Sequence, residues 1–211
     1  MYFDKKDIAN LEKYKKINLM NSITGIKPAI LVGTKSLGNV TNLAIFSSIV
    51  HISSNPPLLG FFLRTNKKIR RDTFENIKQN NSYTFNHVSS SMVKRAHLTS
   101  AKFDKNISEF DTCEFTEDYT YDIAAPFVKE SNVKIGMSLA EIVEMDCTES
   151  KLIIGEIIFI SISNNFLEND FSLNLEKSTS IAVCGLNHYY KNKKNISLPY
   201  PQILNNVKDK S

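Results

Sequence analysis

Gly38-Asn-Val-Thr-Asn-Leu-Ala-Ile-Phe-Ser-Ser48 has the β-branched and aromatic content of a strand, yet an unusual share of its side chains are small and polar. A core strand seldom carries so many hydroxyls and amides. A second polar group, His51-Ile-Ser-Ser-Asn-Pro-Pro57, follows closely. Neighbouring strand side chains point to opposite faces, so Ser47 and Ser48 cannot both aim a hydroxyl at one ligand unless the strand bends. One hydroxyl plus a neighbouring backbone N–H is the expected pair. The bland alternative is a polar edge strand with capping serines.

Outward from this stretch, the flanks read as β structure. Ala29-Ile-Leu-Val-Gly-Thr34, the turn Ser36-Leu-Gly-Asn39 and a strand over residues 40–50 form an antiparallel hairpin. Pro56-Pro57 cannot sit inside a central strand, and Leu58-Leu-Gly-Phe-Phe-Leu63 behind it is a continuous apolar run of buried-strand length, ended by Arg64. Asp72 and Glu75 have capping-box spacing, which predicts a helix over residues 73–79 with Asp72 as its cap. Tyr83-Thr-Phe85 resumes a strand, and Ser90 or Ser91 caps a helix running through Lys94 and His97. Residues 100–122 read as an irregular excursion. Residues 133–145 and 152–162 are strands joined by the polar loop Asp146-Cys-Thr-Glu-Ser150. A short helix is expected near residues 175–183. At the other end, Ile8, Leu11 and Tyr14 have the spacing of one amphipathic helix over residues 4–20.

The 211 residues suit a single domain, with a core over about residues 22–165 and a C-terminal extension over 166–211. Lys and Arg number 26 against 22 Asp and Glu, so no single-sign field of the nucleic-acid-binding kind is implied, and a small anion is the better-matched ligand. Three scattered cysteines, Cys113, Cys147 and Cys184, give neither a disulfide framework nor a zinc knuckle. The charged start, Met1-Tyr-Phe-Asp-Lys-Lys6, and the lack of a long apolar run point to a cytoplasmic protein without a membrane partner. The four histidines share no metal-ligand spacing, so no metal is expected, and no hydrolase, Walker or dinucleotide motif occurs. Arg64, Lys67, Lys68, Arg70 and Arg71 lead into the start of the helix at residue 72, where free N–H groups and the helix dipole favour a phosphate. A solvated basic loop before a normally capped helix is the alternative.

Taken in order, Lys27-Pro-Ala-Ile-Leu-Val-Gly-Thr34, Gly38-x-x-x-Asn-Leu-Ala-x-Phe-Ser-Ser48, Ser54-Asn-Pro-Pro-Leu-Leu59 and Arg71-Asp-Thr-x-x-Asn-Ile77 make the chain resemble the flavin reductase-like FMN-binding split barrels. Tyr83-Thr-Phe-Asn86, Ser108-Glu-Phe110, Leu152-Ile-Ile-Gly-Glu156 and Gly185-Leu-Asn-His-Tyr-Tyr190 extend the likeness over residues 22–201. The resemblance implies a mainly β fold with peripheral helices: an antiparallel, Greek-key-like split β-barrel that dimerises and binds FMN at or near the subunit interface. It further implies that Thr41, Asn42, Leu43 and Ala44 border the isoalloxazine, with backbone N–H groups at its polar edge. Ser47 and Ser48 would face the ribityl phosphate, with Arg64, Thr65, Arg71 and Thr73 completing the phosphate end and Asp72 capping the helix.

The implied activity is hydride transfer from NADH or NADPH to FMN, with reduced FMN serving a flavin-dependent monooxygenase or another electron acceptor. The cofactor would do the redox chemistry, so no catalytic residue is assigned. Three departures matter. Where family reductases carry Gly-Asp-His before the last barrel strand, this chain reads Thr148-Glu-Ser150. Phe159 and Ser161 stand where related members place histidines after the Gly-Glu of that strand, and Lys27 replaces an arginine, losing bidentate geometry. The missing histidine motivates a second reading, an FMN-holding electron carrier without nicotinamide turnover. An anion-binding structural protein without flavin is the third.

Overall fold

The computed structural model describes residues 1–65, 71–194 and 196–198, so Lys67, Lys68 and Arg70 of the basic run lie outside the described residues. Helices α1 (Lys5–Asn10) and α2 (Lys13–Ser22) precede strands β1 (Lys27–Pro28), β2 (Ile30–Lys35), β3 (Thr41–Phe46), β4 (Ile49–Ser54) and β5 (Pro57–Arg64). Helix α3 (Asp72–Asn80), β6 (Ser82–His87), α4 (Val93–Leu98), α5 (Glu109–Thr112), β7 (Glu117–Asp118) and β8 (Phe127–Val128) follow. The long strands β9 (Val133–Glu144) and β10 (Ser150–Ile162) come next, then β11 (Ile181–Cys184) and β12 (His188–Lys191).

Seven strands form one antiparallel sheet in the order β3-β2-β6-β9-β10-β5-β4. Its two edges, β3 and β4, are consecutive in the chain and joined only by Ser47 and Ser48. Three residue steps span at most about 11 Å, so the sheet has to curl until its edges nearly meet. They do: Phe62 N–H donates to Ser48 O at 3.3 Å, Ser48 Oγ donates to Phe62 O at 2.9 Å, and the Phe46 and Phe61 rings meet edge-on at 5.0 Å. The result is a split barrel with mainly β content.

Alternation sorts the side chains. Ile30 and Val32 of β2 point inward to join Phe61, Tyr83, Phe85, Met137 and Ile153, while Leu31 and Leu43 point outward and are covered by Val88, Met92, Ala96 and Phe110 around α4 and α5. Helix α3 sends Ile77 into the barrel interior. The expected β2–β3 hairpin is present, its turn held by Val40 N–H donating to Ser36 Oγ at 3.0 Å, with Asn39 at φ 63°, a conformation asparagine tolerates.

Several expectations are corrected. The N-terminal segment is two helices, because Asp4 caps the first and Glu12 the second; neither buries a residue, so the amphipathic reading does not hold. The strand over residues 40–50 breaks at Ser47-Ser48, where the chain passes between sheet edges. Arg71, not Asp72, is the N-cap of α3, and Asp72 is its first residue. Met92 rather than a serine is the N-cap of α4, since Ser91 Oγ is engaged with Ser89 Oγ at 3.0 Å. Phe62 faces outward, so β5 is buried on one side only. Residues 100–122 hold the short elements α5 and β7. The helix expected near residues 175–183 is absent: Thr179 adopts φ 55°, and the β-branched Ile181 and Val183 instead sit in a strand that pairs with β12 and, through Ala182 and Val183, with β1.

Candidate functional site

Strand β3 is a sheet edge, so half of its backbone groups face away from β2. Leu43 opposes Gly33, and its N–H is given to the Glu109 carboxylate at 3.0 Å instead. In an antiparallel pair this makes Asn42–Thr34 and Ala44–Val32 the ladder pairs and turns the odd-numbered N–H groups outward. Helix α5 supplies the cover. Ser108, its N-cap, accepts from Phe110 N–H at 3.2 Å and bonds Thr41 Oγ1 at 2.7 Å. Thr41 Oγ1 donates to Glu117 Oε1 at 2.6 Å, and Tyr119 O–H donates to Glu117 Oε2 at 2.7 Å. Burial pushes the Glu109 carboxyl above its ordinary value, opposed by the Leu43 N–H bond.

Asn42 is buried as well. Its Nδ2 donates to Thr34 Oγ1 and Thr73 Oγ1, tying β2 and β3 to the first turn of α3. The hydroxyl of Thr41, the amide of Asn42 and the N–H of Leu43 therefore all have protein partners. Ala44, Ser47 and Ser48 are partly buried on the exit from β3, and Ser48 bonds Phe62, two residues before Arg64. Arg64 is exposed and donates from Nη2 to Asn21 Oδ1 at 3.3 Å, while Lys27 Nζ donates to Asn21 O at 2.8 Å. Two cations thus meet the C-terminal turn of α2, where the helix dipole favours them. Thr65 Oγ1 donates to Glu149 O. Arg71 is exposed and makes no side-chain cap bond to α3.

Two links are seen among these segments: Ser48 in the β3–β4 connection bonds Phe62, two residues before Arg64 on β5, and Thr73 in the first turn of α3 bonds Asn42 on β3. Exposed guanidinium groups, hydroxyls and a helix start left without a side-chain cap by its N-cap residue are a donor set that suits a phosphate. Sequence reasoning missed Thr34, Glu109 and Glu117 as partners of this strand, and Asn76 as a second partner of Thr34. Ser108-Glu-Phe110 was visible as a motif, but its role was not, because its bonds to Thr41 and Leu43 cross 67 and 66 residues. Phe159, in a histidine position of relatives, packs against Phe127 at 5.6 Å and under the Tyr121 ring at 3.8 Å. Among the described residues no cluster of His, Cys, Asp or Glu is placed to hold a metal, and no helix is long and apolar enough to cross a membrane.

Comparison with known proteins agrees with this architecture. A split-barrel protein of Shewanella frigidimarina assigned as a flavin reductase is 39% identical, covers 95% of this chain and 100% of its own, and superposes with a TM-score of 0.90. Nitrilotriacetate monooxygenase component B of Bacillus cereus is 20% identical, with 94% and 98% coverage and a TM-score of 0.82. Flavoredoxin of Desulfovibrio vulgaris is 20% identical, with 83% and 91% coverage and a TM-score of 0.72. The family model of the flavin reductase like domain matches residues 25–189. With that match spanning most of its length, the chain belongs to the flavin reductase-like domain family.

Proposed function

We propose that this protein binds FMN and acts as an NAD(P)H:flavin oxidoreductase. The observation that carries the reading is the pair of hydrogen bonds that ties the Ser47-Ser48 link to β5 near Arg64 and the first turn of α3, next to Arg71, to β3 through Thr73 and Asn42. When bound, the flavin supplies acceptance of a hydride from NADH or NADPH. The chain supplies binding and orientation. The guanidinium groups of Arg64 and Arg71, the first-turn N–H groups of α3 and the Ser47-Ser48 link hold the ribityl phosphate, while Ala44 borders the ring. Glu109 and α5 keep water from the outward N–H groups of β3. Reduced flavin then serves a monooxygenase, a role in keeping with the likeness to a monooxygenase component B, and the working location is the cytoplasm.

A second reading, an FMN-holding electron carrier, is favoured by one observation. Phe159 is locked between Tyr121 and Phe127, so that position offers an apolar ring instead of a group able to orient a nicotinamide. The likeness to a flavoredoxin is in keeping with it.

Added FMN is expected to bind with a perturbed visible spectrum, and Ser48→Ala combined with Arg71→Ala to weaken binding by about 100-fold, at roughly 1.4 kcal/mol per lost phosphate contact. A protein that takes up no FMN overturns both readings, and unchanged affinity in the double variant overturns the phosphate assignment. Oxidation of NADH or NADPH with added FMN, above the protein-free rate, separates reductase from carrier.

A further inference from the structure

Helix α3 is fixed to the sheet by more than its apolar side. Four polar side chains are enclosed between its first two turns and the β2–β3 pair: Thr34 is 0%, Asn76 2%, Thr73 5% and Asn42 9% exposed. Asn42 Nδ2 donates to Thr34 Oγ1 at 3.2 Å and to Thr73 Oγ1 at 3.1 Å; Asn76 Nδ2 donates to the same Thr34 oxygen at 3.1 Å. Thr34 Oγ1 is thus the shared acceptor for one amide from β3 and one from α3. At the far end of the helix, Asn80 Nδ2 donates to Lys35 O.

Holding a helix against a barrel does not require this. Ile77 already sits in the barrel interior at 0% exposure, and apolar groups of the same shape serve attachment about as well as a buried hydrogen-bonded set. What a directional set adds is a unique orientation. A shift of about 1 Å along or around the helix axis would leave Ile77 buried but lengthen an N–H···O bond beyond useful range. The network therefore fixes the rotation and axial position of α3 relative to β3. Those two coordinates decide where Arg71 and the first-turn N–H groups lie relative to the Ala44–Ser48 stretch.

We propose that Thr34 and Asn42 are positioning residues for the flavin phosphate: acting through Thr73, they hold the start of α3 in register with β3 and make the site select FMN over riboflavin. This inference rests on the flavin-binding reading above. It gives Asn42 a role different from bordering the ring, and it gives Thr34 and Asn76 a role that no motif indicated. The ring side of the site, along β3 at Ala44, does not depend on where α3 sits, whereas the phosphate side does.

Parallel fluorescence titrations of the full chain with FMN and with riboflavin test it. Thr34→Val removes the shared acceptor at nearly constant volume, and Thr34→Ser keeps it. Thr34→Val is expected to lower FMN affinity about tenfold while riboflavin affinity stays within about twofold, and Thr34→Ser to restore the wild-type ratio. If Thr34→Val does not fold, Asn42→Ser, which cannot reach Thr73, reads the same FMN-to-riboflavin ratio. An equal loss for both flavins, or no loss for FMN, overturns the positioning role while leaving the flavin reading intact. A wild-type protein that takes up neither flavin overturns the flavin reading itself, and this inference with it.

Discussion

Tyr83 stands fully buried in the barrel interior, and its hydroxyl has no hydrogen-bond partner among the described residues. Burial pushes its phenol far above the ordinary value. The hydroxyl fits only because residue 155 is glycine: a Cβ there would stand 2.2 Å from Tyr83 Oη and 2.9 Å from Ser138 O. Gly155→Ala is therefore expected to destabilise the fold by about 2–3 kcal/mol through overpacking, and Tyr83→Phe to stabilise it by about 1 kcal/mol by removing an unpaired buried hydroxyl. Combining the two should cost less than the sum of the single changes, because the shortest contact is gone. Denaturant melts of the four proteins check this, and additivity would show that the two residues do not meet. Gly155 was legible as part of Leu152-Ile-Ile-Gly-Glu156, but the reason for a glycine was not, since the atom it makes room for belongs to a strand 72 positions earlier. The polar excess of Thr41, Asn42, Ser47 and Ser48 was likewise visible, and its division was not. Ser48 stays near the surface, while Thr41 and Asn42 turn to Ser108, Glu117, Thr34 and Thr73.

At the scale of elements, period-two alternation and turn residues made the strands readable, because both are local properties. Helix ends were less so: Asp72 and Glu75 have capping spacing, but the helix begins one residue earlier than a cap at Asp72 allows. The C-terminal strand β11 was missed because its reason lies elsewhere in the chain. Ile181 N–H donates to Val88 O at 2.9 Å, and His87 Nδ1 bonds Ser180 Oγ at 3.1 Å, docking β11 against the end of β6. Burial lowers the His87 pKa to about 4. Above about pH 6.5 the imidazole is neutral in both folded and unfolded chains, and the docking has its full stability. As pH falls from about 6.5 to about 4, the unfolded chain takes up a proton that the folded one refuses, and up to about 3 kcal/mol is lost. Other groups titrate in the same window, so the measurement is the difference between wild type and His87→Gln. Wild-type stability should fall more steeply below pH 6.5, and parallel profiles would show that His87 carries no burial penalty.

For the whole molecule, the ordered motifs gave the barrel, and the two-residue link between its edge strands explains why it closes. The near-continuous apolar run in β10 is not explained by one barrel, since a strand with one face in water should alternate with polar residues. Ile153, Gly155 and Ile157 point inward, so Leu152, opposite Phe62 on β5, lies on the outer face; Phe62 and Ile52 on β5 and β4 are 37% and 39% exposed there, with Ile52 and Leu152 meeting over Gly60. An apolar outer face of this kind marks an interaction surface. A second copy of the chain, as the dimer implied by the family resemblance would need, would cover it with the same face, and a two-fold interface counts each side chain twice. At about 1 kcal/mol for each of these mostly buried apolar side chains, Ile52→Lys with Phe62→Lys removes roughly 4 kcal/mol, about a thousandfold in dissociation constant. Light scattering after size exclusion should give the wild type twice the chain mass of 23.9 kDa and the double variant 23.9 kDa, with the β signature of its circular dichroism unchanged because both sites face outward. If the wild type itself runs at the single-chain mass at micromolar concentration, this face is not a dimer interface, and a dimeric double variant would place that interface elsewhere on the barrel.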